Sequence, residues 1–595
     1  MSRTLFPRIS FACRVLLASS PHQRRHLSTF DVIRRVLIGS PAHELFSPTN
    51  DRWLWDEKRQ RARHTRTFNI PALKATAAEA LGVARWRVRL IKRGDGGSNK
   101  IIGAWGGGDR WVIIKLPDPV VPARVVTASE VALMEFVRTE LGILAPKVLK
   151  WSWDAGGPVG AEYIIMEEVE EEIAGVRWSE IGLEGKARAL KELLVVDEKF
   201  LRSSDIFKDV GYGSLYFTED AEKLGFKKVF EVKSGRSPGR FCLGPLAERH
   251  FWVDAAADID RGPWSTAQAY LTSIADASLH RLAPRGEPTA RTKPFIINCR
   301  LASDQICPTA HTTLLLNRFH SLAPGLVHPT LSAPTLWHRD LSHQNIFVSS
   351  TGSISSIIDW QGVHILPLFL QARIPRLFRY KHSDPEVVPD PLSPLEDGFL
   401  DEENLAVQER IELIALAALY VDRLCAVSGE LGDELRSVLE KQRIPMSRKM
   451  SVSVATSSFE TSDDTLLLWG LLERVIREWE KIAPGTECPS KPAEGEVALL
   501  RGLTEYRNFW LDLLDMHEMP MGDDVSVTAE NFESEKAKVK EFVRKLLMDG
   551  LEGDECIEQR ERFIRHLKSW DLTDWNDGEG WIDEVGEKLS AGGPA

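Results

Sequence analysis

The chain predicts an α+β fold of two lobes, a small one built on an antiparallel sheet and a large helical one. Strand-like runs separated by glycine turns gather between residues 88 and 170, whereas most of the chain beyond residue 170 carries apolar residues at helical spacing. A hairpin pattern interrupts that helical region at 345–359, with a β-branched run, a Ser-Ser-Thr-Gly turn and a second run ending in Asp359. At 595 residues the chain exceeds a length prior of about 150 residues per domain, and two lobes with insertions use that length.

Residues 1–30 contain five arginines (3, 8, 14, 24 and 25), several serines and no acid, the composition of a mitochondrial presequence. A secretory signal is the competing expectation, but Arg14 interrupts its apolar core at 9–19 and Arg24-Arg25 does not resemble a small-residue cleavage site. Residues 31–87 read as an N-terminal extension with Trp53 and Trp55, for which core burial is the simplest expectation, and an alanine-rich helix at 70–81.

The small lobe, 88–170, is expected to hold strands at 88–91, 101–102, 111–116, 146–151 and 163–169, with a helix at 127–138. Glycines at 94–97, with Ser98, form a turn whose backbone N–H groups can approach anionic oxygens closely. The acidic run from Glu167 to Glu172 is either a solvated edge or an attraction for a cationic substrate.

The large lobe, 171–595, opens with a helix at 183–201, followed by a strand near 211–217, a loop at 241–245 and a helix at 267–283. Residues 284–310 follow neither period and predict a loop. Helices are then expected at 312–322, 402–427, 466–482, 494–516, 535–548 and 558–570, with a proline-rich connection at 367–400 and a serine-rich loop at 447–464.

Bulk properties narrow the function. The net charge is −11 although residues 1–30 are basic, so the body is unsuited to binding nucleic acid through charge. Seven cysteines include no Cys-x-x-Cys pair, which indicates neither a zinc ribbon nor a disulfide framework. No apolar run reaches the roughly 18 residues that a membrane helix needs, so no membrane span is expected.

The chemistry concentrates in 336–361. His338-Arg339-Asp340 precedes Asn345 by the spacing Asp-x4-Asn, and the hairpin returns Asp359 toward both. Phosphoryl transfer from ATP needs a carboxylate to take the proton of the attacking hydroxyl and hard oxygen ligands for Mg2+ on the phosphates. Asp340 suits the first task, and Asn345 with Asp359 the second.

This stretch resembles the aminoglycoside phosphotransferase branch of the protein-kinase-like superfamily, because Ile358-Asp359-Trp360 stands where protein kinases have Asp-Phe-Gly and no Ala-Pro-Glu segment follows. Residues 46–54 (FSPTNDRWL), Phe68-Asn69, 96–99, 336–348 and Gly580-Trp581 further resemble the fungal altered inheritance of mitochondria protein nine group.

The resemblance implies a protein-kinase-like two-lobed fold, ATP and Mg2+ as cofactors and a small-molecule phosphate acceptor. Gly96, Gly97 and Ser98 would then cover the phosphates, in a glycine loop that departs from Gly-x-Gly-x-x-Gly. Lys115 would be the phosphate anchor, with Glu130 or alternatively Glu135 as its partner, and main-chain groups at Glu167 and Val169 would bond adenine. His338 is expected to be structural and Arg339 to stabilise the loop. The rival function is a catalytically silent nucleotide-binding or structural protein that keeps the fold.

Overall fold

The computed structural model describes residues 38–49, 51–54, 57–96, 99–118, 122–233, 235–252, 259–282, 309–378, 407–440, 462–491, 495–517, 519 and 526–548. The first long helix, α1 (Ile70–Leu81), has the predicted bounds because both ends are marked. The Asn69 side chain accepts the Ala72 N–H at 3.0 Å, Pro71 occupies the first turn, and Gly82 caps the C-terminus at φ +62°.

Five strands build the small lobe: β1 (Arg89–Gly96), β2 (Asn99–Trp105), β3 (Trp111–Pro117), β4 (Val148–Ser152) and β5 (Tyr163–Glu167). They pair antiparallel throughout in the order β1-β2-β3-β5-β4. Strand alternation sorts their side chains. Leu90, Ile102, Ala104, Val112, Ile114 and Leu116 form a core with Leu73 and Ala77 of α1. Ile113 and Lys115, at the alternate positions, turn to the other face and to α2 (Val125–Thr139). Gly94, Asp95 and Gly96, expected in the glycine turn, are instead paired in β1, which continues through a register shift after Lys92 until Gly96 pairs with Asn99. Gly97 and Ser98 themselves lie outside the described residues.

The large lobe is helical as expected, with α3 (Gly182–Phe207), α4 (Ala267–Leu282), α5 (Thr309–Leu322), α6 (Val407–Val427), α7 (Gly432–Glu440), α8 (Ser462–Arg477), α9 (Glu496–Met516) and α10 (Phe532–Met548). Phe200, Phe207, Leu271, Leu316, Trp337, Trp360 and Tyr420 are among the side chains of its continuous core. The expected loop at 241–245 is instead a strand, Phe241–Gly244, central between Ser214–Phe217 and Phe230–Glu231. All four of its residues are buried, so it shows no polar–apolar alternation that a sequence pattern could register. The presequence segment, Trp55, the loops expected at 284–310 (but for Thr309 and Ala310, which instead begin α5) and 447–464 (but for 462–464), most of 367–400 and the helix at 558–570 lie outside the described residues.

The N-terminal extension packs on the small lobe and also reaches further than the sequence indicates. Its strand Asp51–Trp53 pairs antiparallel with Ser526–Thr528, and Arg52 lies 3.4 Å over the Phe532 ring at the start of α10. Trp53 is buried, as expected, and stacks on His64 at 5.0 Å. Among the described residues no helix is long and apolar enough to cross a membrane.

Candidate nucleotide and phosphoryl-transfer site

β3 presents Lys115 to the face covered by α2, and helix phase decides between the two candidate glutamates. Glu130 Oε1 accepts from Lys115 Nζ at 2.7 Å, in a buried pair. Glu135, on a different face, instead meets Arg138 at 3.2 Å and Arg240 at 3.0 Å. Lys115 Nζ also reaches Asp359 Oδ1 at 3.0 Å, across 244 residues of sequence.

Burial opposes the Lys115 charge, yet the carboxylates of Glu130 and Asp359 hold its pKa above the ordinary value. Burial likewise works against the Asp359 carboxylate, and Lys115 more than offsets it, holding that pKa below the usual range. Asp359 sits at φ +60°, a left-handed conformation that costs a non-glycine residue on the order of 1–2 kcal/mol.

The segment from His338 to Asp359 is fixed by its own backbone. β6 (Ile346–Val348) and β7 (Ile354–Ile357) form the predicted hairpin, with a register shift between Phe347 and Val348. The Ile358 N–H donates to Asn345 O at 2.9 Å, closing the hairpin base and bringing the ends that carry Asn345 and Asp359 together. Asn345 Nδ2 donates to Asp340 Oδ2 at 2.9 Å and to Asp340 O at 3.0 Å.

His338 is buried beneath this loop. Its Nδ1 lies 3.2 Å from the Asp340 N–H and its Nε2 lies 3.1 Å from Ile358 O, contacts satisfied by the neutral tautomer protonated on Nε2. Burial lowers its pKa, consistent with that neutral form. The expected structural role of His338 therefore has a geometric basis.

Arg339 donates to Glu248 Oε1 at 2.8 Å and to Gly362 O at 3.0 Å, joining the 338–345 loop to the segment after Asp359 and to the chain near 248. Burial disfavours the Glu248 charge, but Arg339 together with the neighbouring His364 and His250 more than offsets it, and its pKa is lowered. Its two histidine neighbours, His250 and His364, are pushed down by burial to about 4. Asp340 is half-exposed, with Arg376 Nη1 at 3.2 Å from its Oδ1. Glu248 and Arg376 were invisible to sequence reasoning, because no local pattern marks a partner 91 or 36 residues away.

Of the other expected nucleotide residues, Gly96 lies at the end of β1, beside the undescribed Gly97 and Ser98. Glu167 closes β5, and its N–H donates to Lys147 O at 3.0 Å. Val169 follows in the connection between the lobes, half-buried. Among the described residues no three His, Cys, Asp or Glu side chains converge as a metal cage. The oxygen donors of Asn345 and Asp359 instead suit magnesium, which keeps water and phosphate ligands and needs only one or two from protein.

A sheet lysine shared by a helix glutamate and a hairpin aspartate, with an Asp-x4-Asn loop, is the arrangement of a protein-kinase-like fold. No family model matches it. A subtelomeric hrmA-associated cluster protein of Aspergillus fumigatus is 30% identical over 445 residues, covering 68% of this chain and 82% of that protein. The mitochondrial altered inheritance of mitochondria protein 9 of Yarrowia lipolytica is 28% identical over 257 residues, covering 41% of this chain and 43% of that one. A solved aminoglycoside phosphotransferase APH(4)-Ia, in ternary complex with ADP and hygromycin B, aligns at TM-score 0.33 and 13% identity, over 70% of this chain and all of that one. The chain belongs to the family of the hrmA-associated cluster protein and is also similar to altered inheritance of mitochondria protein 9.

Proposed function

We propose that the protein is an ATP-dependent phosphotransferase that moves the γ-phosphoryl group to a hydroxyl of a small molecule. The observation that carries this is Lys115 Nζ, held at 2.7 Å from Glu130 and 3.0 Å from Asp359, beside an Asp340 bonded by Asn345. Lys115 would bind the α- and β-phosphates, and Glu130 would keep its ammonium in place. Asp340, half-exposed, would accept the proton of the attacking hydroxyl. Asn345 and Asp359 would hold magnesium, which when bound neutralises charge on the phosphates.

Residues 88–170 form the nucleotide lobe in this proposal, and 171–595 supply the catalytic loop and the acceptor side. The basic, acid-free residues 1–30 and the mitochondrial naming of the relatives support a mitochondrial location.

Calorimetry on the full chain with Mg-ATP, beside an Asp359→Ala variant whose fold is verified by circular dichroism, tests the site. Magnesium-dependent binding by the parent and its loss in the variant is the expected result. A well-folded parent that binds no ATP would overturn the proposal. Detection of a phosphorylated alcohol among mitochondrial metabolites, absent with Asp340→Asn, separates transfer from silent nucleotide binding.

A further inference from the structure

Residues directly paired across antiparallel strands share a face. Lys115 and Ile113 are at alternate positions of β3 with Trp111, and Ile113 pairs with Gly103, so Trp111 and Gly103 lie on the face that carries the phosphate clamp. Arg93, on β1 just before the glycine turn, occupies that same face. Its guanidinium carbon is 4.6 Å from the Trp111 ring centroid, and a Cβ on Gly103 would come within 2.7 Å of its Nε. Gly103 thus leaves room for the guanidinium that any other residue would displace.

From there Arg93 Nη2 reaches Glu168 Oε1 at 2.7 Å, the first residue beyond β5 and part of the connection between the lobes. Glu167 pairs with Val112, so Glu168 falls beside Trp111. The acidic run is therefore not simply a solvated edge, since Glu168 is committed inward. Burial opposes the Arg93 charge and Glu168 works to retain it.

We propose that Arg93 is a base-stacking residue of the nucleotide site and that Glu168 holds its guanidinium plane in position. This inference rests on the nucleotide reading above and adds the group that recognises the base. A guanidinium is a flat cation that stacks on aromatic rings, including nucleobases, and one already packed on Trp111 and hydrogen-bonded to a carboxylate loses little freedom when a base arrives. The phosphates and the base would then be bound by separable groups, Lys115 for the first and Arg93 for the second.

The test compares Mg-ATP with Mg-tripolyphosphate, which has no base, by calorimetry on the full chain and on Arg93→Ala and Glu168→Gln. The expected result is a loss of ATP affinity of about tenfold in Arg93→Ala, a smaller loss in Glu168→Gln, and tripolyphosphate affinity unchanged in both. Equal ATP affinity in parent and variants would overturn the proposal, as would an equal loss for both ligands, which would mark the pair as a structural tie between β1 and the connection. A parent that binds neither ligand would defeat the nucleotide reading itself, and this inference with it. Should Arg93→Ala fail to fold, Glu168→Gln, at a partly exposed position, decides the question alone.

Discussion

Two carboxylates show how surroundings set the use of a residue. Asp359 sits against Lys115 and stays charged, whereas Asp197, buried in α3, has the Tyr420 hydroxyl at 2.6 Å from Oδ2 and no hydrogen-bond partner for Oδ1. Burial pushes the Asp197 pKa up from 3.8 to about 7, and the Tyr420 hydrogen bond only tempers it. A folded-state pKa above the unfolded one means that the folded protein binds the extra proton, so this group's contribution is complete below about pH 4 and is lost as pH rises through about 7. Stability from this site should fall by about 1.4 kcal/mol per pH unit in that window and level off above it. Denaturant titrations between pH 5 and 8 on the parent and on Asp197→Asn check this. The variant should lack that part of the slope, and identical slopes would place the proton elsewhere.

At the scale of elements, the β6–β7 hairpin matters because its two ends carry the proposed magnesium ligands. Its turn rests on α3 through Gly352, at φ +84°, where an added Cβ would lie 2.3 Å from Gly185 O. Backbone cannot yield as a flexible side chain can, so Gly352→Ala should cost upward of about 2 kcal/mol. Gly502, in helix α9, has nothing within 4 Å of the corresponding position, and Gly502→Ala should add about 0.5–1 kcal/mol. Thermal melts of the pair should move in opposite directions, and a neutral Gly352→Ala would show the turn to be free of α3.

The hairpin also marks what was legible in advance. Its turn residues, its β-branched runs and the Asp-x4-Asn spacing are local signals, as are the Asn69 and Gly82 that bound α1. Glu130 and Glu135 could be narrowed to two but not separated, because the phase of α2 against the sheet is a tertiary fact. Glu248 beside Arg339, Arg93 on Glu168 and the pairing of Asp51–Trp53 with Ser526–Thr528 are contacts between distant segments, which no periodicity encodes.

For the whole molecule, the decisive contacts are those that join the lobes. Lys115 to Asp359 crosses between them at the proposed phosphate site, and the Ile357 N–H donates to Leu144 O at 2.8 Å beside it. On the N-terminal side, Asp51–Trp53 connects the extension packed on the small lobe to the segment leading into α10. A ligand held by groups from both lobes stabilises their joint arrangement rather than either alone. Mg-ATP at one hundred times its Kd should therefore add about 2.7 kcal/mol. It should also raise a single cooperative melting transition, and Lys115→Ala should abolish the shift. Differential scanning calorimetry with and without Mg-ATP makes the measurement. Two separate transitions of which only one responds would mean that the nucleotide touches one lobe, and the link from Lys115 to Asp359 would then have no part in binding.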